Sequence, residues 1–215
     1  MRPINLQYTP SPVSDNNVFL SQTVAGAGSI VINGAGSTDG VWESVDGLSH
    51  LISFTAGADA SATTLTITGF VDVERRIPRT ESIVAPNTTT ISTTSYFTVI
   101  TSITTDVGLT VATKGGIAQE ARLPRTVLNY LASPVTVGIG VVITGTIDYT
   151  VQHSFNNPQD IEDEPTWFPT LNMSAVTVNT DGNLAAGVSI STVSINTYTS
   201  GATIDVTYVQ GAFSN

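Results

Sequence analysis

The sequence predicts an all-β fold, an antiparallel β-sandwich or jelly-roll-like architecture with an extended N-terminal arm. Three observations predict it. Residues 63–114 are a series of short, Thr-rich, β-branched runs; apolar and hydroxyl side chains alternate along them with period two, as in T-L-T-I-T at 64–68; and turn residues separate such runs along most of the chain. Strands of this kind are half-buried. Two packed β subdomains are an alternative that a length of 215 residues allows.

The N-terminal residues 1–24 are predicted to form the extended arm. Prolines at this density block helix formation and remove backbone donors from a sheet; they are Pro3, Pro10 and Pro12. Apolar side chains give the arm a means of docking, and we take three of them as candidate interaction residues: Ile4, Leu6 and Tyr8. A frayed tail and an arm that reaches a neighbouring subunit both fit the pattern.

Residues 25–116 are predicted to form a β domain. Strands are expected at 29–32, 41–45 and 48–54, with Asp46-Gly47 as a hairpin turn between the last two. The glycine-rich stretch 33–40 (NGAGSTDG) superficially suggests a phosphate-binding loop. It lacks the Lys and the following helix that such a loop needs, so it is interpreted as a hairpin loop.

Residues 117–134 are predicted to connect this domain to a C-terminal β domain at 135–215. The connector has helix-forming residues, and a short helix is expected at 118–123 or at 126–131, because Pro124 ends or kinks any longer one. The C-terminal domain is expected to contain five further strands, at 135–139, 141–151, 174–179, 187–197 and 203–209.

Charge and composition exclude several functional classes. The net charge is −10, all seven basic residues lie at or before Arg125, and residues 126–215 carry seven acids. The C-terminal half therefore lacks the cationic surface that nucleic acid or an anionic membrane requires, and we expect no nucleic-acid partner. Arg75, Arg76 and Arg79 form a local cationic cluster, interpreted as a solvated or subunit-interface feature, with an anionic ligand as the alternative.

The absence of cysteine excludes disulfides, thiolate catalysis and Cys-based metal sites. The N-terminus shows no signal-peptide pattern, and the apolar run 135–143 is about half the length of a membrane span. We therefore expect synthesis in a cytoplasm and no membrane partner.

No set of residues indicates catalysis, so we expect neither an enzyme nor a cofactor. The acidic run Asp160, Glu162, Asp163 and Glu164 offers oxygen ligands for Ca²⁺, but it lacks the spacing of an EF-hand loop and is interpreted as a solvated loop, with no metal site. His50 and His153 each lie within a predicted strand or at the end of one, no G-x-S-x-G motif is present, and both are interpreted as hydrogen-bonded structural residues.

Trp167 and Phe168 are the remaining candidate interaction residues. They lie between Pro165 and Pro169, which favours an extended, stiff segment. Large aromatic side chains dominate buried contact energies. The pair is therefore expected to insert into a pocket, either of its own chain or of a neighbouring subunit.

Two blocks of the sequence resemble virion structural proteins of tailed bacteriophages. The first holds T-I-T-G-F-V-D-V, T-E-S-I-V-A-P-N-T-T-T and T-S-Y-F-T-V-I-T-S-I within residues 66–103; the second holds I-D-Y-T-V-Q-H-S-F, N-P and T-W-F within 147–168, and T-Y-V-Q-G at 207–211. Together they cover about half of the chain. The N-terminal arm, the loop 33–40 and the acid-rich segment 159–164 lie outside the resemblance.

The resemblance implies a non-enzymatic capsid decoration or cement protein on the virion surface. Its partners would be the major capsid protein and other copies of itself, in a homo-oligomer of which a trimer is the expected form. Two alternatives remain open: a tail, collar or fibre component, and a lectin-like carbohydrate-binding β-sandwich.

Overall fold

The computed structural model describes residues 3–72, 77–129, 136–159, 164–184 and 187–211. These residues form antiparallel β-sheets and contain no helix, which confirms the all-β, sandwich-type fold class. In the same part of the chain, accordingly, no helix is long and apolar enough to cross a membrane. The strands are β1 (Ile4–Tyr8), β2 (Ser14–Val24), β3 (Gly28–Ser29), β4 (Ser37–Thr38), β5 (Val41–Glu43), β6 (Ser49–Ala56), β7 (Thr64–Phe70), β8 (Pro78–Val84), β9 (Ile91–Phe97), β10 (Val99–Thr105), β11 (Leu109–Arg122), β12 (Thr126–Val127), β13 (Thr136–Thr144), β14 (Ile147–Ser154), β15 (Phe168–Pro169), β16 (Thr180–Leu184), β17 (Ile190–Tyr198) and β18 (Thr203–Gly211).

The chain divides into two compact units. The middle unit is Val13–Ala121, and the terminal unit combines Met1–Pro12 with Arg122–Asn215. The chain passes from the first to the second at Ala121, inside the segment 117–134 that was expected to connect two domains. The terminal unit, however, also takes in the N-terminal residues, which the sequence pattern does not indicate.

Two sheets of the middle unit share one apolar core. One sheet has the order β4-β5-β10-β7-β8, with β3 also pairing with β10; the other runs β11-β6-β9, with β2 also pairing with β11. Strand β7 shows why the sequence forms this layer: Leu65 and Ile67 are fully buried, and the threonines that alternate with them are partly exposed on the opposite face. The core cluster draws on both sheets and includes Phe19, Trp42, Phe54 and Ile100.

Hydroxyl groups cover the outward face of β7 and β8. Thr66 and Ser82 stand opposite each other and their hydroxyl oxygens are 2.9 Å apart; Thr68 and Thr80 form the next pair, at 3.4 Å. Cross-strand hydroxyl pairs of this kind stabilise a sheet without any charge. They account in part for a chain that is only 11% charged.

The two predicted turns in the first part of the chain behave differently. Asp39 and Gly40, at φ 52° and 78°, form a tight two-residue turn between β4 and β5, which is the hairpin expected from the glycine-rich stretch. Asp46-Gly47 is also a turn, but the hairpin predicted there is wrong. Strands β5 and β6 belong to different sheets, and this turn carries the chain from one to the other.

The terminal unit also has two sheets. One has the order β1-β18-β13-β16; in the other, β15, β14 and β17 are successive neighbours and β12 also pairs with β17. The buried Tyr208 of β18 donates a hydrogen bond to Ser191 Oγ of β17 at 3.1 Å and so joins the two layers. Burial raises the pKa of Tyr208 to about 12, so the phenol stays neutral in the core.

Several predicted elements are wrong or misplaced. Residues 118–122 belong to β11 and 126–127 to β12, so neither short helix forms as predicted. A helix of six residues gains too little from its own hydrogen bonds, and pairing of the buried Ile117 and Ala121 within a sheet decides the conformation. Residues 174–179 are not a strand; Val176 makes an isolated bridge to Tyr149, and the next strand is β16.

The part of the expected arm that the structure describes, residues 3–24, is not a free arm but contains two paired strands. β1 pairs with β18 of the same chain. β2 is an integral strand of the middle unit, because Val18 and Phe19 are fully buried in its core. Only residues 9–13 between them lack regular structure.

Candidate interaction surface

The terminal unit carries a cluster of three rings in mutual contact, His153, Phe155 and Phe168. We call this cluster, together with Trp167 and Leu171, which lie close to Phe168 along the chain, the aromatic surface. Strand pairing builds its centre. His153 of β14 stands directly opposite Phe168 of β15, so both side chains lie on one face of the sheet. Phe155 follows β14 by one residue and closes the group. Ring centroids are 5.5 Å apart for His153 and Phe155, and 6.1 Å apart for Phe155 and Phe168.

The aromatic surface is strongly exposed. Phe155 is 52% exposed, Phe168 45% and Leu171, three residues further along the chain, 84%. A single exposed apolar side chain is ordinary, but exposed rings in mutual contact form an apolar patch. Covering such a patch removes apolar area from water, so this surface is a candidate interaction site.

An ion pair fixes the edge of this surface. Arg122 Nη1 is 2.6 Å from Glu164 Oε1, and the indole Nε1 of Trp167 donates to the same oxygen at 2.8 Å. The guanidinium carbon of Arg122 lies 5.7 Å from the centre of the Trp167 ring, within the range of a cation–π contact. Trp167 is therefore held in place by residues of its own chain before any partner binds.

The two aromatic candidates from the sequence thus have different roles. The prediction left open whether they occupy a pocket of their own chain or of a neighbour. Trp167 is partly buried against Arg122 and Glu164, whereas Phe168 is exposed to solvent, where a partner can contact it. His153 and Phe155 belong to the same surface, and the sequence did not single them out as interaction residues. The spacing H-x-F at the end of a strand was the available signal.

His153 is the titratable group within the aromatic surface. Its Nδ1 lies 3.0 Å from Thr170 Oγ1, and partial burial lowers its pKa. The neutral ring is therefore favoured. It packs against Phe155 and Phe168 as an apolar element of the surface.

The other three candidates, Ile4, Leu6 and Tyr8, lie on β1 and pack on their own chain. They stand opposite Tyr208, Val206 and Ile204 of β18, on the face that is directed into the terminal unit. Leu6 and Tyr8 are partly buried, and burial raises the pKa of Tyr8. Ile4 remains 37% exposed at the end of the strand.

The acidic run is only partly described. Asp160, Glu162 and Asp163 lie outside the described residues, as do Arg75 and Arg76 of the cationic cluster. Glu164 is engaged by Arg122 and Trp167. Within the described ranges, no three His, Asp or Glu side chains are grouped so that they could hold a metal ion.

A buried Ser44–Asp46–His50 cluster in the middle unit has the composition of a catalytic triad but not its order of contacts. His50 Nε2 lies 3.0 Å from Asp46 Oδ2, while Ser44 Oγ donates to Asp46 Oδ1 at 2.5 Å. The serine is therefore bound to the carboxylate rather than to the imidazole that would accept its proton in a triad. The side chains of His50 and Asp46 are only 1% and 5% exposed, so substrate has no access.

Asp46 is the centre of that cluster. Burial alone would raise its pKa, but hydrogen bonds from His50, Ser44 and the Leu48 amide, with the positive charge that His50 can carry, together lower it well below the ordinary value. The carboxylate is thus stabilised in its charged form. Its position inside the protein identifies it as a structural group that fixes the turn between β5 and β6.

The middle unit also has an open cleft of about 380 Å³. Its walls are mostly hydroxyl and small side chains, among them Ser53, Thr55, Thr90 and Ser92. The carboxylate at its rim, Asp15, forms an ion pair with Lys114. The side chains that line the cleft offer hydrogen-bonding groups but no paired acid and base.

Comparison of the sequence with protein-family models and with curated proteins gives no match.

Proposed function

We propose that this chain is a non-enzymatic virion structural protein of a tailed bacteriophage, which decorates or cements the capsid. It binds the major capsid protein and other copies of itself. The observation that carries the proposal is the aromatic surface, an exposed and partly pre-ordered apolar patch on an all-β unit. The resemblance of residues 66–103 and 147–168 to virion proteins supplies the identity of the partner.

The physical argument concerns the kind of partner that such a surface binds. Protein interfaces depend on a few large anchors, commonly aromatic, surrounded by polar contacts that exclude water. Phe155 and Phe168 are suited to act as anchors, with Leu171 as a further apolar contact. The Arg122–Glu164 pair supplies a polar rim that is already formed, so little ordering entropy is lost on binding.

A carbohydrate ligand fits this surface less well. Sugar rings stack on a flat aromatic face and bond to free polar groups beside it. Here the planes of Phe155 and Phe168 are tilted by 55°, and the indole N–H of Trp167 is already bonded to Glu164. These contacts favour a protein partner over the lectin-like alternative.

Binding to emptied capsids of the source phage tests the proposal. The wild-type protein should co-sediment with capsids and raise their resistance to heat. The double variant Phe155→Ser, Phe168→Ser should bind about thirty- to a thousandfold more weakly, because each of the two lost anchors removes about 1–2 kcal/mol.

Val45→Ser is the matched control for this experiment. Val45 is an apolar side chain of the middle unit, 86% exposed and outside the aromatic surface. This variant should bind capsids like the wild type. Wild-type protein that ignores capsids but binds purified tails or a glycan array would contradict the decoration role and support one of the two alternatives.

A further inference from the structure

We propose that β1 is an exchangeable strand, and that copies of this chain associate by placing β1 of one copy on β18 of the next. The inference rests on the self-association within the proposed function and names the surface that mediates it. It concerns Ile4–Tyr8, the linker at residues 9–13 and the receiving strand Thr203–Gly211.

The position of β1 in the chain favours exchange. In the terminal unit's sheet, ordered β1-β18-β13-β16, β1 occupies one edge. It is connected through Pro12 to Val13, the first residue of the middle unit, yet it packs on the terminal unit. Withdrawal of β1 therefore removes one edge strand and leaves every other strand pairing of that sheet in place.

The receiving strand requires an occupant. Ile204 and Val206 are fully buried and Tyr208 is 1% exposed, and β1 stands directly opposite all three. An empty β18 edge would expose these apolar side chains and leave backbone donors and acceptors unpaired. A chain that releases its own β1 is therefore stabilised by accepting the same five residues from another copy.

The same register serves either source of the strand. Leu6 pairs with Val206 and Asn5 with Thr207 whether the two strands belong to one chain or to two. Because the contacts are identical, the balance depends on the local concentration of the strand rather than on new interactions. The short tether holds the strand near its own β18 at an effective concentration of about millimolar, and a protein shell would bring neighbouring copies into a similar range.

The linker favours an extended strand over a compact loop. Residues 9–13 read T-P-S-P-V, and two prolines in five residues hold an extended, stiff chain. The hydrogen bond that Tyr198 Oη donates to the carbonyl oxygen of Ser11, at 2.6 Å, holds the linker on its own chain. Exchange in a reciprocal pair gives a closed dimer, and exchange in sequence gives a ring such as a trimer.

Disulfide trapping in this cysteine-free chain tests the proposal. Asn5→Cys and Thr207→Cys place two thiols on directly opposed, solvent-accessible positions. The two single variants, carrying different affinity tags, are co-expressed, oxidised and purified on both tags in sequence. Exchange predicts a disulfide-linked heterodimer, because Asn5 of one copy then lies beside Thr207 of the other.

Asn5→Cys with Thr203→Cys is the matched control pair. Thr203 lies on the same strand and face, four residues from the pairing position, which is too far for a disulfide. The opposed pair should give roughly tenfold more heterodimer than this control. Each single variant should keep the sedimentation behaviour of the wild type.

Two results would overturn strand exchange. One is a heterodimer yield equal to that of the control pair; the other is a double variant, Asn5→Cys with Thr207→Cys, that forms only intrachain disulfides at every protein concentration. Sedimentation velocity and capsid binding of the same preparations report separately on self-association and on the decoration role. An oligomer that forms without the interchain disulfide would thus refute strand exchange and leave the decoration role untouched.

Discussion

Asp46 shows how a single buried carboxylate can organise a connection between two sheets. It accepts hydrogen bonds from Ser44 Oγ, the Leu48 amide and His50, and its side chain is only 5% exposed. The rings of Trp42 and His50 pack nearly perpendicular to each other, with centroids 6.5 Å apart. The polar cluster is therefore enclosed by the middle unit's core.

Asp46→Ala should lower the free energy of unfolding by about 3 kcal/mol, because three buried donors lose their acceptor. Chemical denaturation measures the change. Asp181→Ala, at an exposed aspartate on β16, is the control and should shift the free energy of unfolding by less than about 0.5 kcal/mol. Equal effects of the two substitutions would contradict the structural role of Asp46.

The difference in stability between the wild-type protein and Asp46→Ala should depend on pH, and the direction of that dependence follows from the pKa of Asp46. The folded-state pKa of Asp46 is lowered, so its contribution is fully present above the ordinary value of 3.8 and is lost as pH falls below it. The wild-type protein should therefore lose stability below pH 3.8 more steeply than Asp46→Ala. Parallel stability–pH curves for the two proteins would argue against a lowered pKa.

The contact between His50 and Asp46 could be predicted from the sequence only in part. His50 was expected to be a hydrogen-bonded structural residue on a strand, and the structure confirms that. Its partner was not predictable, because Asp46-Gly47 has the composition of an ordinary exposed turn. Nothing in the local pattern shows that the turn directs its carboxylate inward, since that depends on β5 and β6 entering different sheets.

Among the elements, β7 and β13 each contain a glycine within the strand, but only in β7 does the packing require it. In β7, Gly69 allows the backbone of β10 to approach so closely that a Cβ there would lie 2.0 Å from the carbonyl oxygen of Val99. The register of β10 shifts just beyond this point, between Ile100 and Ser102. In β13, a Cβ on Gly140 would meet nothing within 4 Å.

Gly69→Ala should therefore destabilise the protein by about 2–3 kcal/mol, because two strands must move apart to admit the methyl group. Gly140→Ala is the matched control: it adds the same methyl group in open space and should be neutral or slightly stabilising. Thermal unfolding of both variants makes the comparison. Equal melting temperatures would show that the close approach at Gly69 does not constrain the sheet.

Strands with strict alternation could be predicted from the sequence, as β7 and β18 show. The ends of strands that lie near a glycine could not be predicted in this way. Gly140 suggested a break between two strands at 135–139 and 141–151, whereas one strand runs through it and the turn comes at Gly145, with φ of 80°. Local composition does not distinguish a glycine that a turn requires from one that a strand merely tolerates.

For the whole molecule, low charge and an exposed apolar surface act together. Charged residues are 11% of the chain, and the isoelectric point is about 4.3. Near that pH the mutual repulsion of the acidic copies disappears, and apolar contact between aromatic surfaces is no longer opposed.

Solubility should therefore reach a minimum near pH 4.3, with light scattering as the measure. The variant Phe155→Ser, Phe168→Ser should scatter markedly less than the wild type at this pH, whereas Val45→Ser should not. A wild-type protein that scatters no more at its isoelectric point than at neutral pH would contradict the role given to the aromatic surface.

The division into units was only partly predictable, for a topological reason. Pro124 and the change in pattern around it led to the prediction of a connector at 117–134, and the chain passes between the two units at Ala121. The pairing of β1 with β18 joins residues from opposite ends of the chain, and such long-range contacts leave no local signal. The aromatic surface was only partly predictable for the same reason. Trp167 and Phe168 were candidates from the sequence, whereas His153 and Phe155 lie beside Phe168 only because β14 pairs with β15.

That pairing also sets an order of events during synthesis. Ile4–Tyr8 leaves the ribosome before its partner Thr203–Gly211, which is made roughly 200 residues later. At about 5–20 residues per second, the first strand waits about 10–40 s for the last one. Throughout that interval it is an uncharged, unpaired strand on a nascent chain. On a polysome, the chains ahead of it complete their β18 before this chain has made its own.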